Sequence, residues 1–548
     1  FMKKIIALFA AVLLTVSAYG AVGDTFNDGT LNYRVSQVSP SYEVAVTGFY
    51  NGAKASVTIP DQVANGGVTY DVTSLADWAF SYIPTLTSIT LGNNLKTIGY
   101  AVLVNTEVTS LSIPANVESL ATGAFREMPK LQSVHIASAS ISIGDYAFFM
   151  NPMLETITGP NATEDHKSLI IDNVLKAVAP YGVTEWTVPE GVTEIPPYIF
   201  SNCSNLTSIT LPSTLTTVGN YGFRVCSSLQ TMRCNAVVPP TVGAAIFMNT
   251  PVNNGELIVP FGSVANYAAA SQWNSFKKIS SVPSIDDEFT VNGLTYKVTK
   301  VSPDYEVEVS QANPALTDVV VPDDVTFEGY TFAVTGIGQE AFSLGSGEDT
   351  SNLESVTIGS NVKTIGNYAF FNCKKLDSVT FASPSSLTNI GNGAFHSCTQ
   401  LQTISLPESL GSIEFHAFYQ CTGLESITLP STLTYIGNEA LAACSALKTL
   451  QCDAVTPPAL GDDVFDGIDK SQDGCELIVP ADSKDAYKAA DQWGAFSKTT
   501  TGIETIAVDD AAAAPARYYD LRGIEVTGLT PGLYIRRCGT RADKVLVK

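Results

Sequence analysis

Leu206-Thr-Ser-Ile-Thr-Leu-Pro-Ser-Thr-Leu-Thr-Thr-Val-Gly-Asn-Tyr-Gly-Phe-Arg-Val-Cys226 is one copy of a phrase that recurs about every 23 residues along this 548-residue chain. Variants begin at Leu86, Val108, Leu131, Leu154, Leu229, Leu353, Leu376, Leu401, Leu424 and Leu447. Such a period with a Leu-x-x-Ile-x-Leu core predicts a solenoid, because one repeat cannot bury its apolar face alone and must stack on its neighbours. Within the quoted copy Leu206, Ile209 and Leu211 point inward by strand alternation, and Pro212 ends the strand without losing a ladder donor. Leu215 and Val218 return the chain, Gly219 turns it, and Gly222, Phe223 and Cys226 supply the opposite wall. At ~1.5–3 kcal/mol per buried side chain, stacking is the main favourable term.

The repeat sits inside a larger duplication. Residues 26–44, ending Val-Ser-Pro-Ser-Tyr-Glu-Val, match residues 289–307, ending Val-Ser-Pro-Asp-Tyr-Glu-Val, and both read as strands of an N-terminal cap. Glu256-Leu-Ile-Val-Pro with Tyr267-Ala-Ala-Ala-Ser-Gln-Trp273 returns as Glu476-Leu-Ile-Val-Pro with Tyr487-Lys-Ala-Ala-Asp-Gln-Trp493. Each closing segment predicts a strand ending at Pro, then a short helix near Ser263 or Ser483 that carries Tyr and Trp inward. Caps are needed because a last coil would otherwise expose its apolar face. The expected architecture is an α/β, β-rich solenoid: two tandem repeat arrays with parallel sheets, each with an N-terminal β cap and a C-terminal strand-helix cap. The expected division is a leader at 1–20, a first array at 21–283, a second at 284–502, and a linker with a β tail at 503–548. Residues 161–184 interrupt the period, and Leu169-Ile-Ile-Asp-Asn-Val-Leu175 reads as an inserted hairpin.

Charged residues are 15% of the chain, and the net charge of −23 argues against nucleic acid or anionic lipid as a partner. Lys3 and Lys4, an apolar stretch from Ile5 to Val16, and Ala18-Tyr19-Gly20 predict a secretory signal peptide, too short for a membrane span. No later segment predicts a transmembrane helix. The expected location is therefore secreted or on the outer cell surface. Ten cysteines in an exported chain invite a disulfide reading. Yet Cys203, Cys226, Cys373, Cys398, Cys421 and Cys444 share one repeat slot, which Ile83, Met128 and Asn151 fill in sister copies. That favours a buried column of free thiols over disulfides. No metal or cofactor is expected: there is no Cys-x-x-Cys pair, and the four histidines are scattered.

Two surfaces are candidates for binding. On the sheet face, twenty of twenty-four outward strand positions are Ser or Thr, broken at His135, Glu185, Arg233 and Gln451. The first three of these breaks are candidate contacts on an otherwise uniform hydroxyl surface. On one flank, Trp78, Tyr100, Tyr146, Tyr198, Tyr221, Tyr368 and His416 stand before the small-aromatic pair, with Phe149, Phe371 and Tyr419 close behind. Stacked Tyr and Trp suit apolar contact with protein or glycan, and half-buried packing is the alternative reading. His396 and His416 fall in adjacent repeats but in different columns. No catalytic constellation is legible, and the chain is read as a non-enzyme.

Ile365-Gly-Asn-Tyr-Ala-Phe-Phe-Asn-Cys-Lys-Lys-Leu376 resembles the repeat of the BspA-like bacterial leucine-rich-repeat surface proteins, over most of residues 70–235 and 335–455. The resemblance implies adhesion to host or bacterial surface proteins; it carries over no ligand-contact residue. A glycan-binding accessory role in nutrient uptake and a structural spacer are the alternatives. Tyr518-Tyr-Asp-Leu-Arg-Gly-Ile-Glu-Val with Pro531-Gly-Leu-Tyr-Ile resembles short C-terminal sorting tails of Bacteroidetes secreted proteins, preceded by an Ala511–Ala514 linker.

Overall fold

The computed structural model of the chain describes residues 20–343 and 351–501, together with the backbone of five strands in the tail. The expected leader and the Ala511–Ala514 linker lie outside the described residues. By contact the chain divides into two compact units, Phe1–Val282 and Pro283–Lys548. Each contains a β-rich solenoid.

The first unit opens with antiparallel strands Thr25–Asn27, Leu31–Gln37 and Glu43–Phe49. Glu43–Phe49 then pairs in parallel with Val68–Leu75, and the sheet grows by two-residue strands at Thr97–Ile98, Ser119–Leu120 and Ser142–Ile143. The second unit repeats this plan with Glu288–Val291, Leu294–Lys300 and Glu306–Ala312, and its sheet runs unbroken through Tyr330–Ile337 to Ala459–Leu460. The apolar sides of these openings hold Tyr33, Tyr70, Tyr296 and Phe332, all essentially inaccessible to solvent. Conversion from antiparallel to parallel pairing thus happens over a filled aromatic core.

The longer strands form the other face. Ser133 lies opposite Ser110 and Val134 opposite Leu111, so equivalent residues stack in register. Ser110–Ile113 alternates exposed and buried, as strand geometry demands of a half-buried sheet. Opposite, the phenylalanines form a stacked column: ring centroids are 5.0 Å apart at 5° for Phe370 and Phe395, and 5.1 Å at 6° for Phe395 and Phe418. In the regular coils the turn carrying the phenylalanine joins the next through its backbone. Phe125 N–H donates to Ala147 at 2.8 Å, Phe200 to Gly222 at 2.9 Å, Phe370 to Ala394 at 2.8 Å and Phe418 to Ala440 at 2.7 Å.

The cysteine column is free and buried as expected, but it is more than apolar filling. Every thiol of the column but that of Cys203 reaches the carbonyl of the preceding coil's phenylalanine: Cys226 to Phe200 at 3.1 Å, Cys373 to Phe342 at 3.5 Å, Cys398 to Phe370 at 3.2 Å, Cys421 to Phe395 at 3.0 Å and Cys444 to Phe418 at 3.2 Å. Asn151 makes the same bond to Phe125 at 3.0 Å and Thr250 to Phe223 at 2.5 Å. A donor that meets an inward carbonyl is what Cys, Asn and Thr share and Ile83 and Met128 lack. Burial pushes the Cys444 thiol up to about 12, which keeps it protonated and donating.

Both arrays close identically. Helices Val264–Ala269 and Lys484–Ala489 bury Tyr267 and Tyr487, whose hydroxyls donate to Ala236 at 2.7 Å and Ala454 at 2.8 Å. Trp273 and Trp493 donate their indole N–H to Pro240 and Pro458. Gln272 accepts from Ile246 N–H and donates to Gly243, and Gln492 does the same with Val464 and Gly461. The cap therefore completes the last coil's backbone ladder as well as covering its core.

One coil of the first array is irregular. Its second strand belongs to an antiparallel hairpin, Ser168–Ile171 with Val174–Val178, as the sequence predicts. From Leu175 the chain returns to the outer face at Glu185 in ten residues, whereas Ile195 reaches Ser208 in thirteen. This coil omits the phenylalanine turn. Both sheets end there, and the buried core divides into one cluster before it and another after it.

Candidate functional site

The aromatic flank arises from the turn. The residue before each small-aromatic pair is left-handed: Trp78, Tyr146, Tyr198, Tyr221, Tyr368 and His416 have φ between 44° and 65°. Glycine adopts this conformation without strain, and Gly123 and Gly393 do so in other coils at φ 62° and 57°. A bulky residue there is strained, so its side chain must return something to the structure or to a partner. Tyr100 is a correction to the sequence alignment. In its coil Ala101 holds the left-handed place, at φ 52°, and Tyr100 stands one residue earlier.

The rings nevertheless join into a ladder. Trp78 meets Tyr100 at 5.1 Å and stacks with Tyr82 at 6.1 Å. Tyr146 meets Tyr198 at 5.7 Å, and Tyr198 meets Tyr221 at 5.1 Å. Between the two groups lies Gly123, where an added Cβ would come within 3.3 Å of the Tyr100 ring and 3.2 Å of the Tyr146 ring. Glycine there lets both rings lean inward without crowding. The Arg126 guanidinium sits 5.0 Å from the Tyr100 ring centre and 5.7 Å from that of Trp78, and pairs with Glu127 at 3.0 Å. Trp78 is 42% exposed and Tyr82 61% exposed, so this end of the ladder faces solvent, while Tyr100, Tyr146, Tyr198 and Tyr221 are half-buried.

In the second unit Tyr368 leads a shorter cluster. Phe371 lies 5.7 Å from Tyr368 and 5.0 Å from His396, and His396 lies 6.0 Å from His416. Tyr419 packs 4.4 Å from His416, which also approaches Glu439 at 3.2 Å. The sequence places these histidines in different columns; the turns bring them together. Burial, reinforced by His416, holds the His396 imidazole below the ordinary histidine value of 6.5.

On the sheet face the three breaks do not converge. His135 lies in the sheet before the irregular coil, in reach of Thr158 at 3.0 Å. Glu185 and Arg233 belong to the sheet after it, in different rows: Glu185 aligns with Ser208, and Arg233 with Thr210. The register thus sets the three side chains in separate places on the sheet face rather than in one cluster. Among the described residues no group of three or more His, Cys, Asp or Glu side chains is placed to hold a metal ion. No helix among them is long and apolar enough to cross a membrane.

The chain matches the family described as BspA type leucine rich repeat region, in six copies over residues 47–174, 180–288 and 335–470. Comparison with curated proteins returns no match. Among solved structures, a leucine rich cell surface protein from Faecalibacterium prausnitzii is similar at 22% identity, over 78% of this chain and 94% of that one, with a TM-score of 0.26. A leucine-rich repeat protein from Bacteroides ovatus is similar at 21% identity over 78% and 94%, with a TM-score of 0.25. One from Eubacterium ventriosum is similar at 17% identity over 82% and 99%, with a TM-score of 0.30.

Proposed function

The chain belongs to the BspA type leucine-rich-repeat family, and from that premise we propose that it is a non-enzymatic binding protein, exported by its N-terminal leader and displayed on or released from the surface of a Bacteroidetes bacterium. Its partner is a host or bacterial surface protein, held along the aromatic flank rather than on the hydroxyl face. The observation that carries this reading is the ladder of rings from Tyr82 to Tyr221, all but Tyr100 kept in a backbone conformation where glycine costs nothing. Tyr and Trp bring large apolar contact at low entropic cost, and they dominate binding energy where interfaces are measured. The Ser and Thr face offers no comparable anchor.

A glycan is the second reading, supported by the exposed and mutually stacked Trp78 and Tyr82, which present flat apolar faces of the kind a sugar ring covers. One experiment separates the two. Residues 21–502 are screened against host matrix proteins and against soluble oligosaccharides, beside a variant carrying Tyr146→Gly, Tyr221→Gly and Tyr368→Gly. Glycine relieves the left-handed strain and so preserves the fold. The expected result is protein binding that weakens about tenfold or more in the variant, at an unchanged melting temperature. Full binding by the folded variant rejects the flank, and binding to oligosaccharide alone selects the glycan.

A further inference from the structure

We propose that the place of the missing phenylalanine turn in the first array is a peptide-binding slot, which takes one short extended segment of a partner protein with an apolar side chain. The proposal rests on reading the chain as a binding protein, but it uses the backbone edges and a groove beside the rings of Tyr146, Phe149 and Tyr198, which meet across the interruption at 5.7 and 5.2 Å.

The edges make the argument. In the regular coils the turn gives N–H groups to the next coil and receives them from the one before. Gly123 N–H donates to Asp145, Phe125 to Ala147 and Glu127 to Phe149. Past the irregular coil the pattern resumes, with Tyr198 donating to Asn220, Phe200 to Gly222 and Asn202 to Arg224. At the interruption both edges are open. Among the described residues no hydrogen-bond partner meets the N–H groups of Tyr146, Phe148 and Met150, nor the carbonyls of Pro197, Ile199 and Ser201. These are the positions that would pair through an intervening turn. Even the array ends are better served, since Gln272 and Gln492 meet the N–H groups of Ile246 and Val464.

A groove of about 310 Å³ lies at the same place. Phe148, Met150 and Ile199 line its walls, and Val178 and Pro180, from the shortened return, line its floor. Cys203 also faces it and makes no bond of the kind its column makes elsewhere, since the coil before it omits the phenylalanine turn. Met150 is 45% exposed, which leaves the mouth open to solvent. Donors on one wall, acceptors on the other and an apolar floor are complementary to a peptide strand, whose two edges carry both kinds of group and whose side chains fill the groove. A sugar ring or an acyl chain supplies no such repeating pair of edges.

The test uses the full chain and two probes: a random 12-residue peptide display library, and a synthetic peptide of residues 367–373 with Cys373→Ser, which is the repeat's own turn. Amide hydrogen exchange is followed residue by residue. In the free chain the Phe148 and Met150 amides are expected to exchange about tenfold or more faster than those of Phe125 and Phe200, and bound peptide slows them by a similar factor. Ile199→Trp, which fills the groove, and Met150→Glu, at its exposed rim, are each expected to abolish peptide binding without changing the circular dichroism melt. A variant carrying only Tyr221→Gly and Tyr368→Gly, both away from the slot, retains it. The slot is overturned if the Phe148 and Met150 amides are as protected as Phe125 in the free chain, or if neither probe binds. Binding indifferent to both groove variants also rejects it, as does oligosaccharide binding at the groove. Self-association abolished by Ile199→Trp assigns the groove to a second copy instead. Matrix-protein binding lost in the Tyr→Gly variant with a silent slot rejects the slot alone; loss of every binding activity in the wild-type chain rejects the broader reading too.

Discussion

At the scale of the residue, the column four places after the small residue of the small-aromatic pair is the most informative. Its mixture of Cys, Ile, Met and Asn reads in sequence as packing, and burial agrees. What the mixture hides is a shared hydrogen bond to the phenylalanine carbonyl of the coil before. The acceptor lies 26 residues upstream for both Cys226 and Asn151, so no local pattern displays it. The consequence is testable in Cys421, whose thiol donates to Phe395 at 3.0 Å. Cys421→Ala leaves that carbonyl buried and unpaired and is expected to cost about 1–3 kcal/mol, whereas Cys421→Thr restores a donor and recovers most of it. Guanidinium denaturation of the three proteins distinguishes this from pure packing, for which Ala and Thr would lose similar amounts.

At the scale of the element, the caps show how a repeat is ended. The inward Tyr and Trp are legible because any last coil must hide its apolar face. The role of the glutamine between them is not legible, since it substitutes for a coil that does not exist: its side-chain amide supplies the acceptor and donor that the next turn would have offered. Gln492→Ala is expected to remove about 1–3 kcal/mol from the second array and to raise exchange at the Val464 amide, with Trp493 still buried. Unchanged exchange at Val464 would show that the cap acts by coverage alone. The irregular coil has no such substitute. Its hairpin is readable from Leu169-Ile-Ile-Asp-Asn-Val-Leu175, but the return three residues too short for a turn becomes visible only beside its neighbours.

At the scale of the whole molecule, the chain is two separately closed solenoids. Each unit contains its own antiparallel opening, stacked phenylalanines and strand-helix closing, so each holds what it needs to fold. We expect residues 21–283 and 284–502, made separately, to unfold cooperatively, with melting temperatures matching two transitions of the full chain. A fragment that fails to fold alone would show that one array templates the other. The first array, whose core divides at the irregular coil, is expected to melt over the broader range, because stacking between the two clusters is weakest there. The sequence by itself determined the repeat, the inward residues, the hydroxyl face and the paired caps, because each follows from a period of 23 residues and strand alternation within one coil. Only the tertiary structure decided which donors meet which carbonyls, which rings touch across coils, where Tyr100 stands in its turn, and that one coil leaves its edges open. Those depend on contacts between residues one or two turns apart, and stacking creates them where sequence distance conceals them.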